Sequence, residues 1–323
     1  LIDLAVILAF GSAFHQSQLV YNRPRPMLPV LGKPLVVRAM ELLYRAGIQQ
    51  FVVIVGEEEG AVAAYLSNHW LPNVKLEFVI QYSSASLIRT LSEVARRQRR
   101  PFIVTSYNTF MQPNFPERLL KHAQDAGDAL VIGCAHTSLS KSSVTCYADV
   151  EGNRFSAITR QKSSVYAPVV TNMAACGAAF VDYLSNVTPT TGTFSKQVID
   201  IYQAYIASGR PAFSAEATWA LQVEADYDLL TLNKYLLEDG LDTYILSELP
   251  GSIQIVPPVR IDPNVSVGQG ARIGPRVYLE AGCTVGAQAT LSNAVVLQNA
   301  VVPSGEKVSD VIVSSRSRIT EPS

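Results

Sequence analysis

The pattern of apolar and polar positions changes character twice along this chain. Residues 4–10 form an unbroken apolar run, LAVILAF, as expected of a strand covered on both faces. Pro34 stands where a helix can begin, and Leu35, Ala39, Leu42, Leu43 and Ala46 then recur at helical spacing up to Gly47. Strand-like runs at 51–55, 74–80, 102–105 and 129–134 alternate with helical patterns over 61–66, 87–97 and 119–126. This βαβα rhythm predicts an α/β domain built on a Rossmann-like, doubly wound, mostly parallel sheet. Residues 145–150 and 155–159 flank the turn Glu151-Gly152-Asn153 and predict a hairpin inserted in that sheet. Two late helices are predicted over 196–207 and 227–238.

From about Pro250 the period becomes six. Cut from Ile253, the chain reads IQIVPP, VRIDPN, VSVGQG, ARIGPR, VYLEAG, CTVGAQ, ATLSNA, VVLQNA, VVPSGE. The first position is small or branched apolar in all nine hexads, and the third is Ile, Val or Leu in eight, failing only at Pro303. Such hexapeptide repeats resemble a left-handed parallel β-helix, in which each short strand supplies one face of a triangular coil. The expected organisation is therefore an α/β domain over residues 1–245, a Pro/Gly-containing linker near Pro250, a β-helix over 251–313, and a loose polar tail over 314–323.

Composition narrows the function classes. A length of 323 residues fits two domains with a core that needs neither disulfides nor a metal staple. Lys+Arg 26 against Asp+Glu 27 leaves a formal charge of -1, so bulk electrostatics do not suggest nucleic acid or an acidic membrane as a partner, and neither is expected. Charged residues are 16%, below the roughly 25% of an average domain, so part of the surface is expected to be covered in a homo- or hetero-oligomer. Cys134, Cys146, Cys176 and Cys283 show no CxxC spacing and read as buried hydrophobes of a reducing, cytoplasmic compartment. Cys134 and His136 lack the second pair a metal site requires. No apolar run reaches the roughly 18 residues of a membrane span. The opening on Leu1 rather than Met reads as a processed, trimmed or unusual start.

The residues after the first predicted strand carry a family resemblance. The run Arg23-Pro24-Arg25-Pro26-Met27-Leu28-Pro29-Val30-Leu31-Gly32-Lys33-Pro34-Leu35 resembles R-P-K-P-L-L-P-V-x-G-K-P-L, the signature of the sugar-1-phosphate nucleotidyltransferases. Upstream, Leu8-Ala9-Phe10-Gly11-Ser12-Ala13-Phe14-His15-Gln16 aligns without gaps on L-A-G-G-x-G-T-R-L. Trp219 ahead of Tyr227-Asp228-Leu229-Leu230 and Asn233 is similar to the family's closing segment. The resemblance implies transfer of a nucleotidyl group from a nucleoside triphosphate to a sugar 1-phosphate. It also implies a Gly-rich phosphate loop, an Arg and a Lys on the phosphates, and two Asp holding Mg²⁺.

Several positions depart from that pattern. Phe10 and Ala13 replace loop glycines, leaving Gly11, and Phe14-His15 stand for Thr-Arg. Arg25 takes the place of the signature Lys. Ala85-Ser86-Leu87-Ile88-Arg89-Thr90-Leu91 replace a small-residue base loop, and Asn108 follows Tyr107 where one metal Asp is expected. The second metal Asp aligns with Leu221, and Gln161-Lys162-Ser163 stand for the sugar-contacting E-K-P. Asp226 and Asp228 lie near enough to be weighed as metal ligands, but their spacing from Trp219 suits the N-terminus of a helix. The four His all lie outside the repeats, which argues against a β-helix acyltransferase with a His base. The run Arg96-Arg97-Gln98-Arg99-Arg100 reads as a solvated helix end or, alternatively, an acidic partner's docking site.

The expectation is a pseudoenzyme: a non-catalytic regulatory or scaffolding subunit that associates with an active relative or another protein. No catalytic residue and no resident cofactor are expected. Gly11, Ser12, Arg25, Asn108, Gln161 and Lys162 would line a vestigial cleft for a nucleotide or sugar nucleotide. The alternatives are an active or weakly active nucleotidyltransferase using Mg²⁺, and a metal-independent nucleotide-sugar sensor.

Overall fold

The computed structural model describes residues 2–11, 17–70, 73–140, 145–187 and 197–321. The apolar runs at 4–9, 51–55, 102–105 and 130–135 become strands buried on both faces, whereas the run at 75–81, on the edge of the sheet, stays partly exposed. In chain order the elements are β1 (Leu4–Ala9), β2 (Pro29–Val30), β3 (Lys33–Pro34), α1 (Leu35–Arg45), β4 (Gln50–Gly56), α2 (Gly60–His69) and β5 (Lys75–Gln81). There follow α3 (Leu87–Gln98), β6 (Phe102–Ser106), β7 (Thr109–Met111), α4 (Phe115–Asp125), β8 (Leu130–Ser138), β9 (Tyr147–Glu151) and β10 (Arg154–Thr159). Then come β11 (Val169–Cys176), α5 (Ala178–Asn186), α6 (Val198–Ala207), β12 (Ala212–Gln222) and α7 (Asp226–Glu238), before a series of short strands from Gln254 onward.

The chain divides into two compact units, one of Leu1–Ser12 with Val36–Gln222, the other of Ala13–Leu35 with Val223–Ser323. The first holds a ten-stranded sheet of order β5-β4-β1-β6-β11-β8-β12-β10-β9, with β7 on β12. Its β5-β4-β1-β6 part is parallel throughout. Beyond β6 the sheet is mixed, since β11 runs antiparallel to both β6 and β8 while β12 is parallel to β8. The hydrophobic pattern did not mark β7, β11, α5 or the long β12. In β12 the sequence AFSAEATWALQ interleaves Ser, Glu and Thr with apolar residues, and partners on both sides rather than its own pattern hold it in the sheet.

The second unit corrects the expected division at 245. The segment before α1 and the whole of α7 belong with the C-terminal strands, because their polar side chains are spent there, as described below. The C-terminal strands stack in parallel in the manner of a β-helix. Val259 lies opposite Val277, Ser266 opposite Thr284 and Arg272 opposite Thr290, each one turn of eighteen residues on. From Asn264 onward the corners carry residues of positive φ: Asn264, Gly270, Arg276, Gly282, Gln288, Asn293, Asn299, Gly305 and Asp310 lie between 49° and 79°, and Gly274 adds a second, at 109°, to the corner of Arg276. Gly, Asn and Asp dominate these corners because they tolerate the left-handed region best.

The corner spacing falls from six to five at Asn293, so the segment 289–293 is a pentad and later turns take seventeen residues, as in Ala294 opposite Val311. This shift explains Pro303. The inward position is Val302, fully buried, whereas Val301 points out with 59% exposure. The expected loose tail is corrected as well: Arg318–Thr320 pairs antiparallel with the strand Lys307–Val313, placing Ile319 beside Ile312.

Candidate functional site: the strand ends of the sheet

In an open α/β sheet, ligands bind beyond the carboxyl ends of the strands where the strand order reverses. Here the chain leaves β1 for β4 on one side and returns with β6 on the other, so the crevice lies between β1 and β6. Phe10 and Gly11 leave β1 at that point. Tyr107 and Asn108 leave β6 beside them, with the Tyr107 N–H donating to the Leu8 carbonyl at 3.0 Å. Asn108 is thereby held buried in the turn between β6 and β7. Phe10 is half-buried against the core beneath the sheet.

The loop after β4 supplies three successive carboxylates, Glu57, Glu58 and Glu59. Glu57 Oε2 accepts the Ser83 backbone N–H at 2.8 Å, and this hydrogen bond holds its carboxyl below the usual carboxylate range. Glu59, at the N-terminus of α2, turns back over the sheet. Its Oε1 accepts the Gly11 N–H at 2.9 Å. After β5, Gln81 Nε2 donates to the Tyr82 and Ala85 carbonyls at 3.0 and 2.9 Å and fixes the entry to α3. Leu87 then faces inward and is buried in the core, so it lines the sheet rather than a ligand.

Of the expected site residues, Gly11 and Asn108 come together at the same end of neighbouring strands. Ser12 lies outside the described residues, as do Ala13, Phe14 and His15. Gln161 and Lys162 sit in the exposed segment between β10 and β11, where Lys162 Nζ lies 5.8 Å from the Tyr147 ring centroid. Arg25 belongs to the other unit. There its guanidinium lies 3.5 Å from Asp226, and both side chains are buried.

Asp226 also accepts Ser17 Oγ at 2.5 Å and the Gln18 N–H at 2.7 Å, and Asp228 accepts the Glu224 and Ala225 N–H groups at 3.0 and 2.8 Å. Both carboxylates thus tie the start of α7 to backbone and to the upstream segment. Leu221 is wholly buried in β12 opposite Phe110. An amide at Asn108 and a hydrocarbon at Leu221 do not make a donor set that fits Mg²⁺. Among the described residues, no group of three His, Cys, Asp or Glu is placed to hold a metal ion.

The remaining sequence candidates have structural partners. Arg97 pairs with Glu77 at 2.6 Å, Arg100 with Asp3 at 2.9 Å, and Arg96 Nε donates to the Ser185 carbonyl at 2.8 Å. His136, near the end of β8, lies 3.1 Å from Glu216 of the adjoining β12, and both side chains are exposed. Cys134 is fully buried, and burial followed by the Glu216 charge pushes its thiol far up. Glu59 had no sequence signal beyond the Gly-Glu-Glu-Glu-Gly run at 56–60, which looks like any polar loop.

Two family models match the chain: Nucleotidyl transferase over residues 4–144 and GMPPB C-terminal domain over 255–322. The order of the two matches is the order of the sheet and the parallel stack. The chain belongs to the sugar-1-phosphate nucleotidyltransferase family. Among curated family proteins it is 22% identical over 327 residues to mannose-1-phosphate guanylyltransferase 1 of Arabidopsis thaliana, covering 98% of this chain and 87% of that protein. It is 23% identical to the bifunctional protein GlmU of Anaeromyxobacter dehalogenans, covering 98% of this chain and 66% of that longer protein. The crystal structure of a putative glucose-1-phosphate thymidylyltransferase from Bacillus anthracis shares the nucleotidyltransferase fold, with a TM-score of 0.61 at 16% identity over 71% of this chain and 93% of its own.

Within the nucleotidyltransferase signature, the residues that match have a visible task in the second unit. Arg23 grips Glu280 with both terminal nitrogens, at 2.6 and 3.3 Å. The Leu31 N–H donates to Asn233 Oδ1 at 3.1 Å. Gly32, at φ +78°, turns directly over Arg260 and Asp262, where a Cβ would come within 2.5 Å of Arg260 Nη2. Tyr278 donates to Asp262 at 2.8 Å beneath that turn, and burial, then the Asp262 and Glu280 charges, push its phenol well up.

Proposed function

We propose that this nucleotidyltransferase-family chain acts as a non-catalytic subunit, binding a second copy or an active relative rather than transferring a nucleotidyl group. The observation that carries the reading is Leu221. Where the resemblance places the second metal acid, a fully buried hydrocarbon stands in β12. A phosphoryl-type transfer relies on charge stabilisation above all, and Mg²⁺ favours carboxylate oxygen. The left-handed sense of the coil belongs to the same proposal, supported by its turns of eighteen and then seventeen residues and by the positive-φ residues that recur at its corners from Asn264 onward. The low charged fraction, 16%, supports the assembly.

The comparisons weigh toward a second reading, because the relatives above are named as enzymes. On that reading the chain makes a nucleotide sugar, with its metal held at positions other than Asn108 and Leu221. The sensor reading is the weaker one, since Arg25 is engaged by Asp226 and the Gly11 N–H by Glu59.

Two measurements separate the readings. Pyrophosphate release is followed with each nucleoside triphosphate, a panel of sugar 1-phosphates and Mg²⁺, and particle mass is followed by light scattering. The proposal expects no release above background and an assembly larger than one chain, alone or with an added relative. Sustained release establishes the second reading, and a monomer under all conditions removes the subunit role.

A further inference from the structure

The Gly11 backbone N–H lies at the tip of β1, at the crevice where an α/β fold receives its ligand. A free backbone N–H in such a loop attracts anions, phosphate above all. In this protein an anion from the chain itself already sits there. Glu59 Oε1 accepts that N–H at 2.9 Å.

The fit of the carboxylate is built by two glycines. A Cβ on Gly56 would stand 2.0 Å from Glu59 Oε2, and one on Gly11 would stand 3.1 Å from Oε1. Neither glycine has a positive φ, so space for Glu59 rather than backbone conformation is what glycine supplies at both positions. Glu57 and Glu58 add charge of the same sign beside it. A phosphate approaching this N–H loses its donor and meets like charge at short range.

We propose that Glu59 is an autoinhibitory contact, a resident carboxylate that occupies the backbone donor at the end of β1 and closes it to phosphate-bearing ligands. This deepens the non-catalytic reading, because it names what closes the strand-end crevice.

The test measures binding of inorganic pyrophosphate by calorimetry, without metal and with Mg²⁺, to the full chain and to Glu59→Gln, Glu59→Ala and Glu58→Gln. Glu59→Ala removes both the charge and the acceptor, frees the donor and is expected to tighten pyrophosphate binding about tenfold or more, the size of one short-range charge contact near a surface; Glu59→Gln, whose amide oxygen can still accept the N–H, removes the charge alone and should gain less. Glu58→Gln removes an equal charge without freeing the Gly11 N–H, and its change should stay within about twofold. Glu59 variants that bind as the unmodified chain does overturn the proposal, and so does an equal gain from Glu58→Gln. Unchanged melting midpoints of the variants show that folding is not the cause. Pyrophosphate release by the unmodified chain, measured separately, would sink the non-catalytic reading while leaving the binding comparison to decide the role of Glu59.

Discussion

The two units treat polar side chains in opposite ways. In the second unit, Arg23, Arg25, Gly32, Asn233 and Asp262 interlock through short, mostly buried contacts, and these include the residues that follow the family signature most closely. In the first unit, the ends of β1, β4 and β6 carry a half-buried Phe10, a buried Asn108 and a carboxylate laid on the Gly11 N–H. Resemblance at Arg23 to Leu35 therefore reports how the second unit is held together, and says little about chemistry at the sheet. A signature residue can persist because it holds a fold, and only its contacts tell that role from a ligand-binding one.

The largest expected effect tests the sheet side of this contrast. Leu221→Asp restores the acid that the resemblance calls for, yet places it at a site with no exposure, across from Phe110. Burying an unpaired carboxyl costs about 4 kcal/mol, and the group will stay protonated rather than bind metal. Urea unfolding should show that loss, with no added stability from Mg²⁺. A stable variant whose melting point rises with Mg²⁺ breaks the contrast and revives nucleotidyl transfer.

The next effect tests the coil side. Glu280→Ala removes the acceptor for both terminal nitrogens of Arg23 and for the Gln298 N–H at 2.7 Å. Both charged partners are mostly buried, so an unpaired guanidinium remains, at a cost of about 3 kcal/mol. Unfolding curves should show it. A loss below about 1 kcal/mol, the range of an exposed pair, would mean that the signature segment is held by packing alone.

Much of the fold was legible in the chain because it rests on period. Unbroken apolar runs announce β1, β4 and β6, and the six-residue period announces the stacked coil. The hexad frame slipped at Asn293 because a pentad and a hexad share the same apolar doublet, and only the corner φ tells them apart. The candidate site was legible in residue types but not in roles. Nothing local to Arg25 says that Asp226, about two hundred residues on, is its partner, and nothing local to Glu59 says that it folds back onto Gly11. Such pairings are set by topology, which brings distant segments together after the local pattern has done its part.

The smallest expected effect sharpens the coil side further. Asp310 is a corner residue of the stack, and it accepts Ser309 Oγ at 2.7 Å, Lys234 Nζ at 3.1 Å and Asn293 Nδ2 at 3.4 Å. Burial alone would raise its pKa, but the hydrogen bonds from Ser309, Lys234 and Asn293 outweigh burial and hold the carboxyl below its usual value. A carboxyl lowered on folding stabilises the native state above its unfolded pKa of about 4, and that stabilisation fades as pH falls through the lower folded value. Asp310→Asn lacks the titrating group. Near pH 7 the variant should therefore melt a little below the unmodified chain, and the gap should close as the pH is lowered from about 5 to about 3. A gap that stays constant across that range would mean that Asp310 ties Lys234 of α7 to the corner by hydrogen bonding alone, with no contribution from its charge.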